Sequence, residues 1–429
     1  LDYLQSLGVN ALYLNPIFSS AANHRYHPYD YFQVDPLLGG NEALRELLDE
    51  AHSREIKVIL DGVFNHASRG FWPFHHILEN GNNSPYLDWF HIQDFPLRPY
   101  TSNAAQPMNY VGWWGHAALP KINTGNPGAR QYLFDAAKYW IDFGADGWRL
   151  DVPADIDDDS FWQEFRRIVK GANPEAYIVG EIWHEAKRWL QGDQFDAVMN
   201  YFFGKACVSF FARGSLSHDF KHPDYALKPV DARDFARQVE YFLGLYDWEI
   251  NLAQLNMLDS HDTPRALHLM GESKEALRLS VLMQMTMPGA PCIFYGSEIG
   301  MTGAGDPHCR GAFPWDSPES WDQDLLEFYR RAVSLRRTHT VLRTGKYRCL
   351  AAEGEQIAFR RRMNGSEAIA AFNAGTVSAE IELPAGKLQE GAYYRVWPEN
   401  NGQVVVLNGE RPVLHVPARE AVVLVNQRG

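Results

Sequence analysis

The chain has 429 residues, 45% of them hydrophobic and 22% charged, with a formal net charge of -13. That composition excludes a disordered chain, the length exceeds one ordinary core, and the acidic balance argues against a phosphate-gripping nucleic-acid surface. No stretch of about 18 apolar residues occurs, so no membrane span is expected. Cys207, Cys292, Cys309 and Cys349 form no C-x-x-C pair, and a disulfide framework is not expected in a chain of this size.

Leu1, Leu4 and Leu7 form an apolar stripe stopped by Gly8, which reads as the end of a helix with no cap before it. The natural N-terminus is therefore expected upstream of Leu1. Seven short apolar runs follow: 9–15, 57–63, 147–152, 177–182, 195–200, 254–260 and 291–296. Val58-Ile59-Leu60 and Cys292-Ile293-Phe294 lack polar alternation, which suits strands buried on both faces of a parallel sheet. Helical patterns at 41–52, 129–143, 161–170 and 274–287 alternate with the strands. The order predicts an α/β fold with right-handed crossovers. A TIM-type (β/α)8 barrel needs one more strand, expected before Leu1. An open doubly wound sheet is the alternative, but no Gly-rich phosphate loop follows any strand.

The connection at about 67–126 is too long for an ordinary loop and carries Phe71-Trp72-Pro73-Phe74 and Trp113-Trp114-Gly115. Insertions of this kind are usually functional lids or subdomains. After residue 340 the pattern changes to short strands at 356–361, 368–373, 393–397, 404–408 and 421–426, separated by Gly, Pro and Asn turns. The expected organisation is a barrel over 1–340 with its insertion, then an antiparallel β-sandwich over 341–429.

Charged residues gather at the ends of the predicted strands. Arg149 and Asp151 are two apart and point to one side, Glu181 ends the next run, and His261-Asp262 follows another. In a barrel these carboxyl-terminal strand ends converge on one mouth. One nucleophile, one proton donor and one stabiliser of positive charge would suit glycosidic cleavage. Each residue alone has a plainer reading. Asp151 is as readily a structural partner of Arg149, Glu181 a cap or surface residue, and His66 or His261 a hydrogen-bonded core histidine. Taken together, the strand-end residues point to some hydrolase or lyase.

Four stretches resemble the signature regions of the α-amylase family in order and spacing: Asp61–His66, Asp146–Val152, Gly180–Trp183 and Leu258–Asp262. The segments Leu119–Asn123, Glu181–Glu185 and Gly192–Asn200 are similar to the neopullulanase, cyclomaltodextrinase and maltogenic amylase branch. This resemblance implies a (β/α)8 barrel with an inserted domain and a C-terminal β-sandwich. It also implies retaining cleavage of α-1,4 or α-1,6 bonds in cyclodextrins, pullulan, starch or maltodextrins. Asp151 would be the nucleophile, Glu181 the acid/base and Asp262 the stabiliser. Glu181 would need a raised pKa and Asp151 a lowered one, the latter held by Arg149. His66 and His261 would bond the sugar at the cleavage site, Tyr26 would stack under it, and Asp306 and Arg310 would bind the next sugar. Trp183 would be an aromatic platform on the leaving-group side.

The chain departs from the branch at His27-Pro28, where relatives follow the stacking tyrosine with Asp. The resemblance gives no firm expectation of a metal in this chain and allows calcium in full-length relatives, and it favours the cytoplasm without fixing the compartment. It allows a homodimer in the full-length parent and implies neither a nucleic-acid nor a membrane partner. An α-1,6-glucosidase or a trehalose-type isomerase is the nearest competitor. A non-catalytic transporter-associated relative would lack one of the three carboxylates, and this chain keeps Asp151, Glu181 and Asp262.

Overall fold

The computed structural model describes residues 1–101, 105–384, 388–389, 391–398, 403–407 and 411–426. The predicted strand end at Asn408 and residues 102–104 of the long insertion lie outside the described residues. The chain divides into two compact units, and the division runs through a strand. Leu1–Gln5, Val9–Ile182 and Ala186–Val198 form the first; Ser6–Gly8, Trp183–Glu185 and Met199–Gly429 form the second.

All seven predicted runs become parallel strands, each shorter than its apolar run. In chain order the seven are β1 (Ala11–Tyr13), β4 (Lys57–Gly62), β5 (Gly147–Leu150), β6 (Tyr177–Gly180), β7 (Ala197–Asn200), β8 (Leu255–Met257) and β9 (Ala290–Cys292), and a separate antiparallel hairpin of β2 (Phe18–Ser20) and β3 (Pro28–Val34) lies between β1 and β4 in the chain. The parallel sheet runs β1-β4-β5-β6-β7-β8-β9, with helices between successive strands. This is the strand–helix alternation of a (β/α) barrel fold.

Inside the first unit, the helices start where the sequence supplies caps. Asn126 accepts the N–H groups of Gly128 and Ala129, with Pro127 opening helix Pro127–Asp142. Asp158 does the same for Ser160 and Phe161 in helix Asp159–Ala172. Such caps satisfy N–H groups the helix leaves orphaned. Trp140 and Trp148 are fully buried among Phe18 and Phe64, with ring centroids 5.3 Å apart for Phe18–Trp140 and 5.4 Å for Phe64–Trp148. Asp146 anchors the amino-terminal side of the sheet by accepting from Val58 N at 2.9 Å and Lys57 Nζ at 2.9 Å. Burial opposes its charge, but these donors and His52 outweigh it and hold the carboxyl below its ordinary range. In the long insertion, the described residues form helix Trp72–Asn80 and isolated bridges, among them His66 with Lys121 and Gly112 with Pro120.

The second unit holds helices Tyr201–Phe211, Ala232–Gly244, Lys274–Thr286 and Gln323–Thr338. Its antiparallel strands are β10 (Lys346–Glu353), β11 (Gln356–Met363), β12 (Ser366–Asn373), β13 (Ala379–Glu382), β14 (Gly391–Trp397), β15 (Val404–Leu407), β16 (Val413–Val416) and β17 (Glu420–Val425). Six pair in the order β10-β11-β12-β17-β14-β15, and β13 pairs with β16. Ile369, Tyr393 and Leu424 of the larger sheet share one core with Ile381 and Leu414 of the smaller, which makes a sandwich.

Two buried arginines tie this sheet to the helices. Arg361 on β11 donates to the carbonyls of Leu342 at 2.7 Å and Gly345 at 2.8 Å, and also to that of Thr286. Arg336 donates to Met285 at 3.0 Å and Met287 at 2.8 Å. Between them they satisfy carbonyls at the end of helix Lys274–Thr286 that have no intrahelical partner.

Candidate active site

In the first unit the carboxyl ends of β4, β5 and β6 supply the charged groups. Asp61 lies opposite Arg149 in the β4–β5 register. Residues paired this way project to the same face of the sheet. Arg149 Nη1 therefore meets both oxygens of Asp61, at 3.0 and 3.1 Å. The same nitrogen lies 3.0 Å from Asp151 Oδ1, and Nη2 lies 3.0 Å from Glu181 Oε2. The side chain of Arg149 is 0% exposed, and those of Asp151 and Glu181 are 8% and 6% exposed. Burial works against the guanidinium charge, but Asp61 and Glu181 outweigh it and raise the Arg149 pKa well above its ordinary value. Arg149 is thus a permanent cation shared by three carboxylates.

Two phenols complete the cluster. Tyr13 and Tyr26 each donate to Asp61 Oδ2, at 2.9 and 2.8 Å. Burial first, then the nearby charges led by Asp61 for Tyr26, hold both phenols protonated far above neutral pH. The turn after Asp151 is strained: Val152 has φ 37° and ψ 49°. A β-branched side chain in the left-handed region is a true outlier, and such strain gathers at functional sites. The turn directs the Val152 N–H onto Glu181 Oε2 at 3.1 Å.

His66 is buried at the end of the Asp61–His66 stretch, where its carbonyl accepts from Tyr31 Oη at 2.9 Å. Its Nε2 lies 3.2 Å from the carbonyl oxygen of Tyr26. Burial pushes its pKa down to about 3, so the imidazole is neutral at ordinary pH. Trp113 stacks on it, with centroids 4.7 Å apart and planes 12° apart. Lys121 donates to the carbonyl of Asp155 at 2.8 Å, and Trp113 Nε1 to the Asp155 carboxylate at 2.6 Å. At the departure from the branch, His27 packs edge-on against His24 at 4.9 Å, and its carbonyl accepts from Ser20 Oγ at 2.8 Å.

In the second unit a looser group follows β8. His261 Nε2 lies 2.9 Å from Asp262 Oδ2. Arg310 Nη2 lies 3.3 Å from Asp262 Oδ1, and Arg310 Nε lies 3.3 Å from Asp306 and 2.9 Å from the His261 carbonyl. The side chains of Asp262 and Arg310 are 29% and 27% exposed. Beneath them Asp259 is buried and accepts from Ser297 Oγ at 2.7 Å and Ala266 N at 2.8 Å. Burial pushes its carboxyl pKa up.

Trp183 stands in an aromatic stack of its own. Tyr201 lies parallel to it at 3.7 Å and His222 at 4.4 Å. Two rings at those separations fit only on opposite faces of the indole. Both faces of Trp183 are therefore covered, and Tyr225 packs T-shaped against it at 6.1 Å.

Tyr26, Arg149, Asp151 and Glu181 thus share one buried cluster with His66 beside it. His261, Asp262, Asp306 and Arg310 share a second group. Reading the sequence alone overlooks Tyr13 and the pairing role of Asp61, because both depend on strand register. It also overlooks Val152, whose strain has no sequence marker, and the covers Tyr201 and His222. Among the described residues, no group of three or more His, Cys, Asp or Glu is disposed to hold a metal ion. Nor is any described helix long and apolar enough to cross a membrane.

The alpha amylase catalytic-domain model matches residues 1–320. The chain is 42% identical over 388 residues to a cyclomaltodextrinase of Geobacillus thermopakistaniensis, covering 90% of this chain and 62% of that protein. It is 44% identical over 354 residues to neopullulanase 2 of Thermoactinomyces vulgaris, covering 82% and 57%. The chain thus spans 57–62% of the length of these relatives. A solved debranching enzyme from Nostoc punctiforme superposes with a TM-score of 0.93 at 46% identity, over 99% of this chain and 87% of that one.

Proposed function

Because the chain belongs to the α-amylase family of glycoside hydrolases, we propose that it cleaves α-1,4-glucosidic bonds of cyclodextrins, pullulan, starch or maltodextrins with retention. Asp151 attacks the anomeric carbon while Glu181 gives its proton to the departing glycosidic oxygen. The glycosyl–Asp151 ester is then opened by water, whose proton returns to Glu181 as the new C–O bond forms and Asp151 leaves. Asp262 grips sugar hydroxyls and stabilises the oxocarbenium-like transition state. His66 and His261 bond the sugar at the cleavage site, Tyr26 stacks under it, and Asp306 and Arg310 hold the next sugar. Trp183 is the aromatic contact on the leaving side.

The observation that carries this reading is the shared guanidinium. Arg149 touches Asp151 and Glu181 with different nitrogens, which fixes both carboxylates around one point at successive strand ends. A neutral His66 also suits a hydrogen bond to an uncharged sugar. A second reading, cleavage at α-1,6 branch points, is favoured by the 46% identity to a protein named a debranching enzyme. Product analysis on cyclodextrin, pullulan and starch separates the two. The test of mechanism is the anomeric form of the first sugar released by the intact protein, followed by NMR. An α-anomer is expected, and an initial β-anomer overturns the nucleophile role of Asp151.

A further inference from the structure

The long insertion carries an aromatic feature that the catalytic reading leaves unused. Trp113 is fixed on three sides: His66 stacks on one face, Asp155 accepts its Nε1–H at 2.6 Å, and Trp114 stacks on the other face at 4.7 Å and 20°. Trp114 then has its outer side in water and is 74% exposed. The result is a column, His66–Trp113–Trp114, running from the buried cluster to the surface within the first unit.

Trp114 is held there against two costs. It sits at φ 47° and ψ 27°, the left-handed region that a bulky side chain avoids. That conformation costs about 1–3 kcal/mol unless the surroundings impose it. They do impose it: Trp113 N donates to Leu119 O at 2.8 Å, Gly115 N to Gly112 O at 3.0 Å, and His116 N to Trp113 O at 2.9 Å. Gly112 must lack a side chain, since a Cβ there would meet the His116 carbonyl oxygen at 2.3 Å. The second cost is a large apolar ring left in water. Strain and exposure together fit a ring displayed for a flat, weakly polar ligand.

We propose that Trp114 is a sugar-stacking subsite, taking a pyranose ring of an α-glucan chain whose other end occupies the cleavage site. The inference rests on the proposed function and extends it by a binding position. The column begins at His66, so a chain held there would pass along the insertion. The C–H face of a pyranose packs on an indole while its hydroxyl edges stay in water, which suits a ring open on one side. A nucleobase would also stack, but the net charge of -13 disfavours a phosphate backbone.

The test uses the intact protein carrying Glu181→Gln, so that ligand is bound and not consumed. Tryptophans are oxidised with N-bromosuccinimide, with and without maltoheptaose, and mapped by mass spectrometry. Trp114 should be protected, while Trp315, itself 56% exposed, should stay reactive. In the same background Trp114→Ala should weaken maltoheptaose binding about 2–13-fold, the range expected for one aromatic contact. The loss should shrink for maltotriose, and Trp114→Tyr should restore most of it. Maltoheptaose binding without protection of Trp114 overturns this subsite and leaves the proposed function standing. Absence of any maltoheptaose binding overturns both. If Trp114→Ala instead changes the oligomeric state and leaves glucan affinity as it was, the ring is a protein contact and the proposal fails.

Discussion

Two arginine-centred clusters differ in how they hold their carboxylates. Arg149 is wholly buried and touches Asp61, Asp151 and Glu181 within 3.0 Å of each. Arg310 is 27% exposed and reaches Asp262 and Asp306 at 3.3 Å. Away from water a guanidinium–carboxylate contact is strong and costly to break, whereas near the surface it is screened and cheap. Groups that must hold one geometry through bond cleavage belong in the first setting. Groups that must close on an arriving sugar belong in the second.

The largest effect tests whether the buried cluster is the chemical one. Glu181→Gln should lower the rate about 10²–10⁴-fold by removing acid–base assistance. Substrates whose leaving group needs no proton should recover part of the first step. Equal losses on all leaving groups would separate Glu181 from proton transfer.

Next is the arginine. Arg149→Met should destabilise the fold by about 3–5 kcal/mol, because it leaves buried carboxylates without their counter-charge. Urea unfolding measures this, and a loss below about 1 kcal/mol would place the cluster in the solvated class.

The same buried setting predicts a pH effect. His66 has a folded pKa of about 3, depressed by burial. An unfolded histidine titrates near 6.5. Below that value the unfolded state binds the extra proton, so stability is fully present above about pH 6.5 and falls as pH drops toward 3. His66→Gln should flatten that part of the stability curve; an unchanged slope would mean that other groups dominate it.

Trp183→Ala should weaken long substrates and shift transfer against hydrolysis by the equivalent of roughly 0.5–1.5 kcal/mol. It also removes the ring between Tyr201 and His222, so a lowered Tm is expected alongside. Complete loss of activity on small activated glucosides would remove Trp183 from the leaving side. Smallest in stability is Arg310→Met, expected to cost less than about 1 kcal/mol in urea. A loss as large as that of Arg149→Met would erase the contrast between the clusters.

The parallel strands were legible because runs such as Val58-Ile59-Leu60 have no polar face to hide. Their ends were not, since backbone pairing covers only part of each apolar run, and β9 begins at Ala290, one residue before its run. Helix Tyr201–Phe211 is apolar on nearly every side, with Lys205 its one charge, and periodicity cannot separate such a segment from a buried strand. The hairpin β2–β3 has two shifts of register and so no clean alternation. Within the site, Arg149, Asp151 and Glu181 could be read from spacing and motif. The bond of Asp61 to Tyr13 and Tyr26 could not, because it joins residues far apart in the chain. His222 over Trp183 comes from a loop with no regular pattern at all.

The two buried arginines of the second unit bear on modularity. A change of sequence style near residue 340 invites treating the β-sandwich as a cassette that can be excised or exchanged. Arg361 argues otherwise: it sits on β11, and the Thr286 carbonyl at the end of a helix depends on its guanidinium. Burial, and then Arg336, drive its pKa well down, and the groups its guanidinium meets are backbone carbonyls. A graft that exchanges β11 without an arginine at this position strands those carbonyls in an apolar interior. Transplantation should therefore carry residues 274–363 as one piece, with the seam placed elsewhere.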